Sequence, residues 1–186
     1  MSKKIGLICE GGGTKAAYTC GVLKCFLDEH IDFPYTAGIS AGAEVLLPFV
    51  SKQKERLRIT GVDAASDPHA IGVYPLLHER GVFGIRHVCN FIEEHAPLDY
   101  EAFMKNPTQL DIGVYNMDTN EVEYYAKEFF DNEEQLLMQA SCSLFLLTRP
   151  VKFRGHTYMD AGLVDMIPIE QSIRQGMEKH VFISTK

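Results

Sequence analysis

The sequence predicts an α/β protein, a three-layer α/β/α fold with a mostly parallel central sheet. Two observations indicate this class. Short apolar runs rich in β-branched residues end abruptly at glycine-rich loops, and segments with helical spacing follow them. This strand, loop and helix unit occurs twice within residues 4–50, and consecutive units of this kind place their strands in parallel in one sheet.

Length and composition indicate a single globular domain over residues 1–186. With 46% hydrophobic and 23% charged residues, the 186-residue chain is large enough for one buried core and small for two. A formal net charge of −7 argues against nucleic acid as a partner. The five cysteines contain no Cys-x-x-Cys pair, which is typical of free thiols in a reducing compartment. We therefore expect a cytoplasmic protein, at most peripheral at the inner membrane face.

The first half of the chain carries both predicted units. Lys4–Cys9 reads as a buried strand that runs into a glycine loop, and a helix follows, with Thr14 as its N-cap. A second strand ends at Gly38 and is followed by a helix over Ala41–Val50. Residues 51–84 have no clear period, and we expect a short helix and then a loop.

The second half alternates helical segments with hairpins. The pattern predicts helices over Val88–His95, Glu133–Ala140 and Ile169–Gln175, a strand Gln109–Tyr115 paired with Glu121–Tyr125, a hairpin over 151–158 that turns at Arg154-Gly155, and a last strand Val181–Ser184.

Ser40 is the candidate nucleophile. It is the serine of Gly38-Ile39-Ser40-Ala41-Gly42, a Gly-x-Ser-x-Gly run between the second strand and its helix. On such a tight turn the hydroxyl stands above the sheet edge, and the helix amino terminus, beginning at Ala41, faces any anion formed there. A plain glycine-rich turn is the alternative interpretation of these five residues.

The loop Gly11-Gly12-Gly13 has three interpretations. It lacks the Gly-Lys-Ser/Thr order of a P-loop, and Ala16 interrupts a dinucleotide fingerprint, so a nucleotide site is disfavoured. A purely structural turn is the second interpretation. An oxyanion hole for Ser40 is the third, because both loops follow the carboxyl ends of neighbouring strands.

Asp160 is the preferred base for the serine. Of seven histidines, only His180 follows Ser40 and Asp160 in the chain order of an ordinary hydrolase triad, but it precedes a strand and faces away from the active edge. Asp160 precedes the small residues Ala161 and Gly162, which allow a close approach to the serine. A turn or capping aspartate is the alternative.

Taken together, these motifs resemble those of the patatin-like phospholipases. The resemblance covers Glu10–Leu23, Gly38–Ala43 and the segment from Ala140 through Asp160-Ala161-Gly162 to Pro168. It implies a serine–aspartate dyad without histidine, Ser40 as nucleophile, Asp160 as general base, and lipid acyl esters as substrates. It also implies an oxyanion hole from the amides of Gly11, Gly12, Gly13 and Ala41, with no metal and no cofactor.

Three functional hypotheses follow from the resemblance. The first is a serine lipid acyl hydrolase in transient contact with a membrane surface, with Lys15 near the lipid head group or simply solvated. The second is a catalytically weakened acyl-binding regulatory module, because Ala16 and Ala161 replace the family's usual glycines and the chain ends early for the family. The third is a non-lipid esterase or thioesterase.

Overall fold

A computed structural model describes residues 4–129 and 135–185 of the chain. These residues contain a seven-stranded sheet in the order β5-β6-β3-β2-β1-β7, with β4 paired to β3. The strands are β1 (Ile5–Cys9), β2 (Tyr35–Ile39), β3 (Gln109–Asn116), β4 (Glu121–Ala126), β5 (Val151–Phe153), β6 (His156–Met159) and β7 (Lys179–Ile183).

Helices connect the strands. They are α1 (Ala16–Asp28), α2 (Ala41–Val50), α3 (Lys54–Arg58), α4 (Ala64–Ser66), α5 (Val73–His78), α6 (Ile85–His95), α7 (Tyr100–Lys105), α8 (Gln135–Ser141) and α9 (Ile169–Arg174). A π-helical turn, Ile59–Asp63, joins α3 to α4, and short 3₁₀ turns lie at Gly13–Lys15, Lys127–Phe129 and Ala161–Leu163.

The central part of the sheet is parallel. β7, β1, β2 and β3 pair in parallel, in that order. β4 and β6 each pair antiparallel with β3, and β5 pairs antiparallel with β6. The hairpin turns at Arg154 and Gly155, both with positive φ, as the sequence predicts. The predicted mostly parallel α/β sheet is confirmed.

Side chains alternate between the two faces of the sheet. In β1, Leu7 and Cys9 enter the large core beneath α1 and α2, while Ile8 points to the opposite face. There Ile8 packs in a smaller cluster with Tyr35 and with Ile169 of α9. Helices therefore cover both faces, which gives the three predicted layers.

Several predicted local features are wrong. Thr14 does not cap α1, because the chain enters the helix through a 3₁₀ turn that starts at Gly13, where φ is 56°, and the N-cap position is Lys15. Residues 51–84 are more helical than predicted, since α3, the π-helical turn, α4 and α5 all fall within them, and α7 was not predicted. The start of the predicted helix Glu133–Ala140 lies outside the described residues.

Within residues 4–129 and 135–185, no helix is both long enough and apolar enough to span a bilayer.

Candidate active site

Sheet register brings Ser40 and Asp160 to the same level of the sheet. β2 ends opposite Gly113 of β3, and β6 ends opposite Tyr115. β2 runs parallel to β3 and β6 runs antiparallel to it, so the next residue of each strand, Ser40 or Asp160, comes beside Val114. Two residues 120 positions apart in the chain (160 − 40) thus meet at the carboxyl edge of the parallel strands.

Ser40 occupies a strained turn between β2 and α2. Its φ of 59° is positive, a region that L residues other than glycine seldom adopt. Neighbouring glycines make the turn possible, because a Cβ on Gly38 would lie 2.7 Å from the Ala43 nitrogen and one on Gly42 would lie 2.4 Å from the Cys9 carbonyl oxygen. The glycines of the motif are therefore required by close backbone contacts.

Ser141 holds the Ser40 turn against β3. The Ser40 backbone N–H donates to the Ser141 Oγ at 2.9 Å, and that hydroxyl donates in turn to the Gly113 carbonyl at 2.8 Å. Ser141 is fully buried, so both bonds are shielded from water. The sequence argument did not single out this residue, although it lies in the Ala140–Ser143 segment used for the family resemblance.

Asp160 is buried beside Ser40. Its backbone N–H donates to the Ser143 carbonyl at 2.9 Å, and one carboxyl oxygen accepts the Gly162 N–H at 2.7 Å. Burial raises the pKa of Asp160 above its ordinary value, while hydrogen bonding with the Ser40 side chain and the Gly162 amide offsets part of that increase. Ala161 lies in a 3₁₀ turn and has no positive φ, so its methyl group adds no backbone strain.

The glycine loop lies next to the serine, and its residues differ in position. Gly11 lies against the turn that carries Ser40, since a Cβ on Gly11 would be 3.1 Å from the Ser40 Cβ. Gly12 instead abuts Thr185, whereas Gly13 lines the same cavity as Ser40 and Ala41. Among the described residues, no protein acceptor takes the N–H groups of Gly12, Gly13 or Ala41. These amides are available to a substrate oxygen.

The carboxyl-terminal segment fixes the base of the glycine loop. Ser184 Oγ and the Thr185 N–H both donate to the Glu10 carboxylate at 2.7 Å, and the Thr185 hydroxyl donates to the Gly11 carbonyl at 2.9 Å. The loop conformation thus depends on contacts with the residues that follow β7.

A predominantly apolar cavity of about 120 Å³ opens at Ser40. Its walls come from α2, the π-helical turn, α4, α6 and the segment after α8, and include Ala65, Ile71, Phe83, Val88, Ile92 and Leu144. Such a lining suits a hydrocarbon chain attached to an ester carbonyl at the serine.

Three polar side chains in the cavity wall were not anticipated from the sequence. Glu44 of α2 is buried, its Oε2 has no hydrogen-bond partner among the described residues, and burial raises its pKa to about 7. Thr60 lines the cavity with an equally unpartnered hydroxyl within the same described set. Cys142 approaches the Ser40 hydroxyl, and burial raises the pKa of its thiol well above the usual range. The sequence does not reveal these positions, because each side chain is brought to the cavity by tertiary contacts.

Lys15 and His180 lie away from this site. Lys15 is exposed and borders a shallow groove with Tyr18 and Thr185, not the cavity at Ser40. His180 pairs with Gly6 near the amino end of β1, at the opposite edge of the sheet from Ser40. The substrate role of Lys15 stays a prediction without support from its position.

The site combines three features at the carboxyl edge of a parallel sheet: the serine elbow, which is the turn 38–42, a buried carboxyl group and a glycine loop. This combination is typical of α/β proteins with a serine-hydrolase-like site. The family model for patatin-like phospholipases matches residues 7–173, and the chain belongs to that family. The resemblance read from the three motifs is confirmed.

Individual relatives extend this comparison. The uncharacterized protein YjjU of Escherichia coli (strain K12) is 28% identical over 98% of this chain, which spans 52% of that relative's length. The crystal structure of VipD from Legionella pneumophila superimposes with a TM-score of 0.53 over 86% of this chain and 46% of that chain, at 14% identity. The second likeness shows the shared fold. The chain spans about half the length of the curated relative it matches.

Proposed function

We propose that the protein is a serine lipid acyl hydrolase in which Ser40 and Asp160 form a catalytic dyad. One observation carries the proposal: a strained, glycine-flanked serine lies beside a buried carboxyl at the mouth of an apolar cavity. The patatin-like family is generally one of lipid acyl hydrolases, which supports this chemistry.

The dyad supplies nucleophile and base. Asp160 accepts the proton of the Ser40 hydroxyl as Oγ bonds to the ester carbonyl carbon, and the carbonyl π electrons move to oxygen. When the tetrahedral intermediate collapses, the bond to the leaving alcohol breaks and that proton passes to the alcohol. Water then attacks the acyl-enzyme with Asp160 again as base, releasing the fatty acid and restoring the Ser40 hydroxyl.

Backbone amides stabilise the oxyanion in this scheme. Gly13 and Ala41 line the cavity with Ser40 and have unused N–H groups within the described part of the chain, and Gly12 and Gly11 adjoin them. Donors fixed by the fold need no reorganisation as charge develops on the carbonyl oxygen, and the loss of one such donor typically costs about 10²–10³ in rate.

The raised pKa of Asp160 favours its role as a base. A carboxylate desolvated by burial binds a proton more tightly than one in water, which improves proton abstraction from the serine hydroxyl. Hydrogen bonds from the Gly162 amide and the Ser40 hydroxyl act in the opposite direction and lower the pKa of Asp160.

Exposed apolar residues near the cavity support transient contact with a membrane surface. Leu77 of α5 and Phe145 and Leu146 after α8 are 72%, 53% and 85% exposed. The two segments are connected, because the Val82 N–H donates to the Leu147 carbonyl at 2.7 Å. Such a surface would let an acyl chain pass from a lipid layer into the cavity. We also propose a cytoplasmic location, consistent with five free cysteines.

Hydrolysis of nitrophenyl esters of increasing acyl length tests the proposal. We expect turnover that rises from acetyl to a medium-chain ester and disappears in Ser40→Ala, whose folding is checked by circular dichroism. If Ser40→Ala hydrolysed the esters at the same rate, the proposal that the protein is a serine hydrolase would be wrong. No turnover together with binding of a fatty acid would favour the acyl-binding module, and turnover limited to the shortest esters would favour a non-lipid esterase.

A further inference from the structure

Asp67, His69 and His87 bring three metal-ligating groups together outside the serine site. The Asp67 Oδ1 lies 2.9 Å from the His87 Nε2 and 3.4 Å from the His69 Nδ1. One ligand atom from each of the three residues lies within 4.8 Å of the others. This cluster takes no part in the proposed ester hydrolysis.

Backbone hydrogen bonds position the three side chains before any ligand binds. Asp67 follows α4, and its Oδ1 accepts the His69 N–H at 2.8 Å. The Gly84 N–H donates to the Ala70 carbonyl at 2.8 Å, which ties this turn to the start of α6. His87 lies in the first turns of α6, so it is held in register with His69.

The spacing suits zinc. Zn²⁺ binds imidazole nitrogen and carboxylate oxygen at about 2.0–2.2 Å in tetrahedral geometry, so neighbouring donor atoms lie about 3.3 Å apart. Two of the three separations here, 2.9 and 3.4 Å, fall close to that value. The donor set consists of two histidines and one carboxylate, with a fourth position open. Such a set binds zinc in preference to magnesium or calcium, which favour oxygen ligands.

The cluster is accessible from solvent. The side chain of His69 is 52% exposed, and those of His87 and Asp67 are 24% and 18% exposed. A metal ion can therefore reach the carboxylate from solvent. The Tyr74 ring, whose centroid lies 4.2 Å from that of His69, restricts the movement of the His69 side chain on one side.

We infer that Asp67, His69 and His87 form a zinc site that fastens the wall of the acyl cavity. Ala70 and Ile71 follow His69, and Val88 follows His87, and all three line the cavity. One ion bound by both histidines would thus cross-link two separate segments of the cavity wall. The ion would fix the shape of the cavity without touching Ser40.

Isothermal titration of the full chain with ZnCl₂ tests this site. The background carries Cys25→Ser, because Cys25 is an exposed thiol and a thiolate is a strong zinc ligand that would compete in the titration. We expect one zinc ion per chain, with affinity weakened by more than about tenfold in Asp67→Asn, His69→Ala and His87→Ala. His30→Ala, which alters an exposed histidine distant in sequence, is the matched control and should bind like the background.

A second readout separates a cross-link from casual binding. Zinc should slow amide hydrogen exchange of residues 70–72 and 85–88 in the background protein and leave exchange unchanged in His69→Ala, whose exposed side chain can be removed with little effect on folding. Absence of stoichiometric binding, or binding that both histidine variants retain, would overturn the site and leave Asp67 and His87 as a simple hydrogen-bonded pair. Neither readout depends on ester hydrolysis.

Discussion

The elbow that carries Ser40 and the cap over the cavity differ in how they are built. The elbow, residues 38–42, is held by glycine contacts and by Ser141, and it sits on the parallel strands of the sheet. The cap, residues 59–95, is made of a π-helical turn and three helices, and exposes Val62, Val73 and Leu77. In the proposed reaction, bond cleavage would take place at the elbow on the sheet, whereas the acyl chain would be selected by the cap, which is built from short elements.

The largest effect should come from Asp160→Asn. We expect hydrolysis of a medium-chain nitrophenyl ester to fall by about 10²–10⁴, because the amide cannot accept the serine proton. Asp165→Asn is the matched control, since Asp165 lies five residues further on and bonds Tyr124 instead of Ser40. Full activity of Asp160→Asn with an unchanged circular dichroism spectrum would refute the assigned base.

A methyl group tests how tightly the elbow is packed. In Gly42→Ala the new carbon would lie 2.4 Å from the Cys9 carbonyl oxygen, and we expect a loss of more than about 3 kcal/mol in the free energy of unfolding. Gly21→Ala in α1 meets no atom within 4 Å and should stabilise by about 0.5–1 kcal/mol. Chemical denaturation of both variants measures the contrast, and equal stability would show a looser elbow than described.

Glu44, at the boundary of elbow helix and cavity, should make stability pH-dependent. Its pKa in the folded protein, about 7, exceeds the ordinary value of 4.5, so the folded state binds the proton more tightly. The contribution of Glu44 to the free energy of unfolding is complete below pH 4.5 and is lost as pH rises towards 7. The total loss is on the order of 3 kcal/mol. Glu44→Gln should lack this decline when unfolding is measured from pH 4.5 to 8, and an identical pH slope in both proteins would contradict the assignment.

The cap should tolerate change and alter only chain-length preference. Ala65→Phe places a ring in the cavity of about 120 Å³ and should lower kcat/KM for a medium-chain ester by about tenfold, with little change for the acetyl ester. Ala65→Ser, of nearly the original size, is the control. Equal losses on both esters would mean that the cap shapes the reacting centre itself.

The difference between the two regions also explains what the sequence could predict. Ser40 and its glycines were found because a strained turn needs particular residues at fixed spacing, and that need is visible in five consecutive positions. Asp160 was chosen for the small residues that follow it and for the family's motif, and the structure places its carboxyl group beside Ser40. Their catalytic roles stay predictions.

Residues that act through tertiary contacts were not predictable in this way. Ser141 of α8 accepts the Ser40 N–H across 101 positions, and the contact forms where α8 packs on Gly113 of β3. Residues 59–84 of the cap lack clear helical periodicity, because several of their apolar residues face a cavity and a π-helical turn interrupts the spacing. The expected N-cap at Thr14 failed because Gly13 begins a turn one residue earlier.

Covalent labelling of Ser40 tests the central claim most directly. A fluorophosphonate with a lipid-like chain should transfer its phosphonyl group to the Ser40 oxygen with loss of fluoride, giving one adduct that peptide mass spectrometry places in the 38–42 elbow. Ser143→Ala, which removes a nearby serine bonded to the Gln139 carbonyl, should label like the unmodified protein, and Ser40→Ala should not label. An adduct on another residue, or undiminished labelling of Ser40→Ala, would contradict the account.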